Sequence, residues 1–186
     1  SNIPPERLYW NGLQRARFLP AIKLVQQHTL VINVDSGVDY RLRTLEQADI
    51  FHYPHDQAAI DNLNHSFDLL VTEERPKGSS IEVEHRQLKT VRCGEGVVWF
   101  LFKEICETAR SHTDYIELSR CYHTVMVSEI PKLETKDDSA VRRFISLVDE
   151  FYERNVKLMI TAEVDLALLY NGAQLAFEFK RTLSRL

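Results

Sequence analysis

Apolar positions along the chain predict alternating helices and strands. A stripe of apolar residues over 3–28, interrupted at Gly12 and Pro20, predicts a first helix. The β-branched run at 29–34 is typical of a buried strand in a parallel sheet. Apolar residues three to four positions apart then predict a helix over 55–70. This order of elements indicates an α/β fold.

After a turn-rich segment at residues 75–80, the spacing of apolar residues changes from a helical to an alternating pattern. Apolar and polar residues alternate over 81–92, and an apolar run covers 97–102, so we expect a small antiparallel set of strands there. Helices are expected near 102–110 and 113–120.

The clearest helical pattern lies at residues 137–154, where apolar residues line one face. Short apolar runs at 124–127 and 156–161 flank it and predict buried strands. A strand, a helix and a strand joined by short links imply a right-handed parallel crossover. The last residues, 173–186, are predicted to form a strand edge followed by a helix.

Composition limits the kind of protein this chain can be. It has 186 residues and a net charge of −4, with a pI of about 6.0, which argues against a strongly basic nucleic-acid surface. No apolar run approaches the ~20 residues of a membrane-spanning helix. Cys93, Cys106 and Cys121 are widely spaced and favour a reducing compartment with free thiols. The missing initiator methionine suggests a processed or cut chain.

The sequence contains no standard motif for binding a nucleoside triphosphate. The Gly-x-x-x-x-Gly-Lys-Ser/Thr loop is absent, and so is an apolar strand ending in Asp-Glu. Residues 11–20 carry Arg15 and Arg17, which a helix places about 200° apart. One can therefore enter the local fold while the other projects towards a neighbouring subunit, where a guanidinium can accelerate phosphoryl transfer by ~10³–10⁵. The alternative is a pair of solvated arginines.

Three weaker patterns favour structural explanations. Cys121 and His123, with Asp114, could form a nucleophile and its base, but Cys121 precedes a buried strand, which favours a structural thiol. The histidines and acids of 52–65 match no zinc-ligand spacing, so no metal site is predicted. The aromatic residues of 99–102 lack interleaved Lys or Arg, which favours core packing over base stacking.

Several unusual strings of residues are spread over most of the chain. They lie at residues 1–5, 8–9, 11–22, 34–43, 123–126, 142–145, 147–154 and 184–186. Together they resemble the ZapE family, the bacterial branch of the Afg-type, lactation-elevated AAA+ ATPases. The resemblance is to the later part of the family's chain, because the nucleotide-binding loop and the acidic magnesium motif precede the segment that matches Ser1.

The resemblance also implies site residues. Asn2 matches the sensor-one Asn, which reads the γ-phosphate and helps to place the attacking water. Arg17, followed by Phe18, resembles the Arg-Phe of the arginine-finger box, so Arg17 is the first choice for the finger and Arg15 the second. The candidates for sensor two, the lid arginine that contacts phosphate, are Arg142, Arg143 and Arg181, and the sequence does not decide between them.

The pattern and the resemblance together predict an α/β chain in three parts. Residues 1–50 are expected to form the end of an AAA+ (P-loop NTPase) core, with the sensor-one end, the finger helix and the last core strand. Residues 51–80 are expected to form a helical lid or connector. Residues 81–186 are expected to form a C-terminal unit with a β-hairpin and a parallel strand-helix-strand crossover.

The resemblance implies a function for the parent protein, which is ATP hydrolysis with Mg²⁺ through motifs outside this chain. The fragment alone is expected to be inactive. The implied role is at the cytoplasmic division site, where the protein would act on the tubulin-like FtsZ ring or another protein client. A nucleotide-dependent homo-oligomeric ring follows from the finger, and peripheral membrane association is compatible with the role.

Three other functions are considered. In the first, residues 81–186 are a non-catalytic protein-binding module. In the second, the chain belongs to a mitochondrial-type Afg ATPase that handles membrane-protein substrates. The third, a nucleic-acid clamp, is disfavoured by the acidic balance, so no nucleic-acid partner is predicted.

Overall fold

The computed structural model describes residues 15–29 and 50–186. The chain divides into two compact units, which span residues 1–39 and 40–186. Of the strand predicted at 29–34, only Thr29 lies within the described residues. None of the helices in the described ranges is long and apolar enough to cross a bilayer.

Helix α1, Arg15–His28, is the described element of the first unit. It continues through Pro20, although proline removes one intrahelical hydrogen bond. Ile22 is its buried residue, whereas Leu24 is 56% exposed.

A five-stranded sheet forms the centre of the second unit, in the order β1-β7-β6-β5-β4. Its strands are β1 (Phe51–His52), β4 (Arg92–Gly94), β5 (Val97–Leu101), β6 (Thr124–Ile130) and β7 (Lys157–Ala162). The neighbours β1–β7, β7–β6 and β6–β5 are parallel, and β4 closes the edge as an antiparallel strand. The parallel pairing of β6 with β7 confirms the predicted crossover.

The alternating segment over 81–92 forms a separate hairpin of β2 (Ser80–Val83) and β3 (Arg86–Lys89). Glu84 and His85 turn the chain with φ of 48° and 59°, as a two-residue hairpin loop requires. The expectation that the run at 97–102 belongs to one small antiparallel set is wrong. Strand β5 pairs with β4 on one side but runs parallel to β6 on the other.

Helices cover both faces of the sheet because side chains along a strand alternate between faces. On one face, α2 (Gln57–Leu70) buries Leu63, Phe67 and Leu70. Their sheet partners are Val97, Trp99, Met126 and Met159. The opposite face is covered by α3 (His112–Cys121), α4 (Asp138–Glu153) and α5 (Ala176–Leu183). Its core includes Val98, Phe100, Phe102, Val125, Val127, Phe144, Phe151 and Phe179.

The helices expected from apolar spacing are found, with two differences. Helices α2, α3 and α4 lie where the sequence predicts them. In place of the helix expected near 102–110, the structure has a short π-type segment, Lys103–Glu107. Residues 173–175 form no strand, so the last element is the helix α5 alone.

Residues 51–80 do not stand apart from the rest of the second unit. Strand β1 hydrogen-bonds to β7, and α2 packs on the sheet through its apolar face. Because an amphipathic helix needs an apolar partner, this segment supplies an edge strand and a covering helix within the second unit. Its role as a lid or connector stays a prediction. The assignment of 1–50 to a nucleotide-binding core stays a prediction.

Candidate functional site

The two arginines of α1 differ in exposure. Arg17 is exposed, whereas Arg15 is half-buried. The difference follows from their separation around the helix, and it matches the expectation that one side chain enters the local fold while the other projects outward. The structure therefore keeps Arg17 accessible to a partner, and the finger role itself stays a prediction. Asn2 lies outside the described residues, so its sensor-one role also stays a prediction.

The three candidate lid arginines have different surroundings on α4 and α5. Arg143 donates a hydrogen bond from Nη1 to the carbonyl oxygen of Cys106 at 3.0 Å, which ties α4 to the π-type segment. Arg181 forms an ion pair with Asp149, with Nη2 and Oδ2 2.8 Å apart. Arg142 is exposed and lines an open groove. The structure does not bring the three side chains to one shared site.

The groove that Arg142 lines is acidic. Its volume is about 370 Å³, and its charged or titratable lining residues are His112, Arg142, Asp149, Glu150, Glu153 and Glu178. Glu150 is 6% exposed, and its carboxylate pairs with Arg154 at 3.1 Å and lies 3.3 Å from Nδ1 of His112. Arg181 and Arg185 both pair with Asp149, so arginines beside the groove offset part of its negative charge.

A second crevice lies at the carboxyl ends of the parallel strands. After β1 the chain passes to α2 on one face of the sheet, whereas after β7 it passes to α5 on the opposite face. The neighbours β1 and β7 therefore form a topological switch point, the place where open α/β sheets bind ligands. A cavity of about 280 Å³ opens there, lined by Pro54, His55, Glu129, Ile130, Pro131 and Glu163. We call it the switch-point crevice.

Hydrogen bonds fix the polar residues of the switch-point crevice. His55 Nδ1 and Thr161 Oγ1 share a hydrogen bond of 2.6 Å, and His55 Nε2 lies 4.0 Å from Glu129 Oε1. Glu129 occupies a bulge of β6 with φ of 60°, and its N–H donates to Thr161 Oγ1 at 3.3 Å. The Glu163 carboxylate accepts from the backbone N–H of Lys132 at 2.9 Å. His55, Glu129 and Glu163 thus come from three different strand ends.

Tyr53 lies on the loop after β1 and is exposed. Its interaction with the Asp165 carboxylate, on the loop after β7, raises the pKa of Tyr53.

Arg92 forms a buried charge network that the sequence did not reveal. It is 7% exposed and binds Glu74 through two hydrogen bonds of 2.8 and 2.7 Å. Asp68 accepts a further bond at 2.6 Å, and the guanidinium lies 4.1 Å from the ring centroid of Phe67. The network joins β4 to α2. An arginine in a short alternating segment carries no signal of its partners, because those partners are set by tertiary packing.

Asp114 has a structural role and does not serve a Cys-His pair. It is fully buried and accepts two hydrogen bonds from Arg86, at 2.5 and 2.6 Å, and one from the backbone N–H of Ser111 at 2.6 Å. These bonds cap α3 and anchor the hairpin. Cys121 is exposed, whereas Cys93 is buried. The assignment of Cys121 as a structural thiol stays a prediction.

The described residues hold no metal cluster. Within 15–29 and 50–186, no three His, Cys, Asp or Glu side chains come together in a way that could hold a metal ion. His52, His55 and His65 in particular do not converge with carboxylates on one point.

The fold and a family model together indicate the class of protein. A mixed α/β unit with a mostly parallel sheet is consistent with a P-loop NTPase-like fold. The family model of AFG1-like ATPases matches residues 1–186. The chain belongs to the AFG1-like ATPase family, which confirms the resemblance found in the sequence.

Sequence identities to curated relatives distinguish two branches of the family. The chain is 51% identical over 189 residues to the cell division protein ZapE of Escherichia coli K12, and equally to that of Escherichia coli O157:H7, covering 100% of this chain and 50% of each relative. It is 32% identical to the lactation elevated protein 1 homolog B of Danio rerio, covering 97% of this chain and 37% of that protein. The chain thus spans about half the length of the ZapE relatives. No solved structure matches it.

Proposed function

We propose that this chain is the C-terminal part of a ZapE-like AAA+ ATPase that hydrolyses ATP with Mg²⁺ and acts on the FtsZ ring in bacterial cell division. The 51% identity over the whole chain to a protein named for cell division supports this branch of the family. The lower identity of 32% to the lactation-elevated homologue favours it over the mitochondrial-type alternative.

The observation that carries the proposal is the exposed guanidinium of Arg17 on α1. A subunit that binds nucleotide needs a positive charge beside the transferring phosphoryl group, and a neighbouring subunit can supply it. An exposed arginine in an Arg-Phe pair is suited to that task, whereas the half-buried Arg15 is less able to reach another subunit. The proposed protein is therefore a nucleotide-dependent ring of identical subunits.

In the proposal, this chain does not form a complete ATP site by itself. The groove beside Arg142 is acidic, and neither Arg143 nor Arg181 is directed at an open basic site. ATP and Mg²⁺ would bind mainly to the preceding part of the protein. In the proposal, Asn2 positions the attacking water, Arg17 stabilises the developing charge from the next subunit, and Arg142 is the best of the three sensor-two candidates because it is exposed on an open groove.

The proposed setting is the cytoplasm at the division site, with peripheral association at the membrane. FtsZ is the proposed partner, and co-sedimentation of the full-length protein with FtsZ filaments, with and without ATP, tests that assignment.

Substitution of Arg17 in the full-length protein tests the proposal. Arg17→Ala is expected to leave ATP affinity within about twofold and to lower turnover by ~10³ or more, because the lost charge acts mainly in the transition state. Lys23→Ala is the matched control, because Lys23 is an exposed cation on the same helix. Steady-state turnover and equilibrium nucleotide binding are measured for both variants. Equal turnover in the two variants would contradict the finger role.

A further inference from the structure

The loop after β1 is not built to hold phosphate. In α/β proteins that bind phosphate, a glycine-rich turn leaves the N-terminal N–H groups of the next helix open to the anion. Here the corresponding loop, residues 53–56, has no glycine. The carboxylate of Asp56 already accepts the N–H of Ala59 at the start of α2, at 2.9 Å. The chain's own carboxylate therefore caps this helix in the way that a bound anion would.

The charge of the switch-point crevice also opposes an anion. Its lining contains Glu129, Glu163 and the imidazole of His55, and no Lys or Arg. Asp165 lies on the same loop as Glu163, and its carboxylate accepts a hydrogen bond from the backbone N–H of Ala167. Both lining carboxylates are exposed, so they are available to a partner. A phosphate entering here would meet like charge from two strand ends.

The remaining lining of the crevice is apolar. Pro54, Ile130 and Pro131 form this part of the lining, beside the two carboxylates. An apolar wall below a negative rim suits a side chain with an aliphatic stem and a cationic head, because lysine and arginine bury the stem and keep the charge at a polar edge. The bulge at Glu129 turns its backbone out of the regular strand and keeps the carboxylate beside His55.

We propose that the switch-point crevice binds a lysine or arginine side chain of a protein partner, with Glu129 and Glu163 as the carboxylates that pair with its charge. The position is the one where this sheet topology places a ligand, and the charge of the lining selects a cation over a phosphate. The crevice thus gives the second unit a protein-recognition site. The inference depends on the second unit alone and does not require the ATPase proposal.

Fluorescence anisotropy with labelled peptides tests the crevice in the full-length protein. The probes are a hexapeptide of alternating Lys and Gly, the same peptide with norleucine in place of Lys, and the same peptide with Glu. The Lys peptide is expected to bind, and the other two are expected to bind at least about tenfold more weakly. The norleucine peptide keeps the apolar stem and removes the charge, so it isolates the contribution of the carboxylates.

Two double variants assign the binding to this crevice. Glu129→Gln with Glu163→Gln is expected to weaken the Lys peptide about tenfold, because both partner charges are lost. Glu153→Gln with Glu178→Gln removes the same net charge from the acidic groove beside α4, where both residues are exposed. This control is expected to change affinity by less than about twofold. The single variant Glu163→Gln, with a smaller loss, replaces the first pair if that pair fails to fold.

Three outcomes would overturn the inference. They are equal weakening in the two double variants, equal binding of the Lys and norleucine peptides, and tight binding of the Glu peptide that is lost with Glu129 and Glu163. Because none of these variants touches α1, the ATPase turnover of the crevice variants is expected to match the parent. A failed peptide test therefore leaves the finger proposal standing, and the reverse also holds.

Discussion

The buried network of Arg92 gives the sharpest stability prediction. Arg92→Met keeps an unbranched stem over Phe67 but removes the charge that Glu74 and Asp68 share. The two carboxylates would then face each other without a cation between them. The variant is expected to be less stable than the parent because charge-assisted hydrogen bonds are lost and two like charges remain.

The size of the effect follows from how exposed each partner is. Breaking a buried ion pair costs ~3–5 kcal/mol. Arg92 has a side-chain exposure of 8%, but Glu74 has 27% and Asp68 has 63%, so water can resolvate both carboxylates. We therefore expect about 3 kcal/mol, the lower end of that range. In a protein of this length, that corresponds to a fall in Tm of roughly 6–12 °C.

Thermal and urea unfolding followed by circular dichroism measure this loss. Arg120→Met is the matched control, because Arg120 is exposed on α3, and it is expected to stay within about 0.5 kcal/mol of the parent. A Tm of Arg92→Met within about 2 °C of the control would refute the reasoning.

Two further predictions concern titration and thiol access. The hydrogen bond from Arg92 lowers the pKa of Glu74 in the folded state. The ionised Glu74 therefore stabilises the fold above its unfolded pKa of 4.5. This stabilisation is lost as the pH falls through the lower pKa of the folded state. Below about pH 5, the free energy of unfolding of Arg92→Met is expected to depend less on pH than that of the parent. Urea titrations at several pH values measure this dependence. Parallel plots of unfolding free energy against pH for the two proteins would contradict it. In the native protein Cys121 is expected to react with a thiol reagent, whereas Cys93 and Cys106 react only on unfolding because they are buried and burial raises the pKa of Cys106. Mass spectrometry of the alkylated sites checks this, and labelling of Cys106 in the folded protein would contradict it.

Helices with a strong apolar period could be predicted from the sequence. Helix α4 has Phe144, Val148 and Phe151 on one face, and this spacing alone predicts both its type and its buried side. Strand pairing could not be predicted in the same way. The run at 97–102 is apolar throughout, so nothing local distinguishes an antiparallel hairpin from a strand that runs parallel to β6.

The sequence also predicted part of the candidate site. The different exposures of Arg15 and Arg17 follow from their spacing on a helix. The crevice residues His55, Glu129 and Glu163 could not be grouped, because they lie far apart in sequence and meet only through the order of the strands. The exposure of Cys121 could not be predicted, because nearness to a buried strand does not determine the side of the preceding helix to which a residue points.

The central claim is that Arg17 of one subunit completes the nucleotide site of the next, and subunit mixing tests it most directly. Arg17→Ala subunits of the full-length protein retain their own nucleotide pocket, and a second variant with a defective pocket retains Arg17. If the finger acts between subunits, mixing the two inactive proteins at constant total concentration restores a part of the ATPase rate. No restoration in mixed rings whose assembly is intact would contradict the claim.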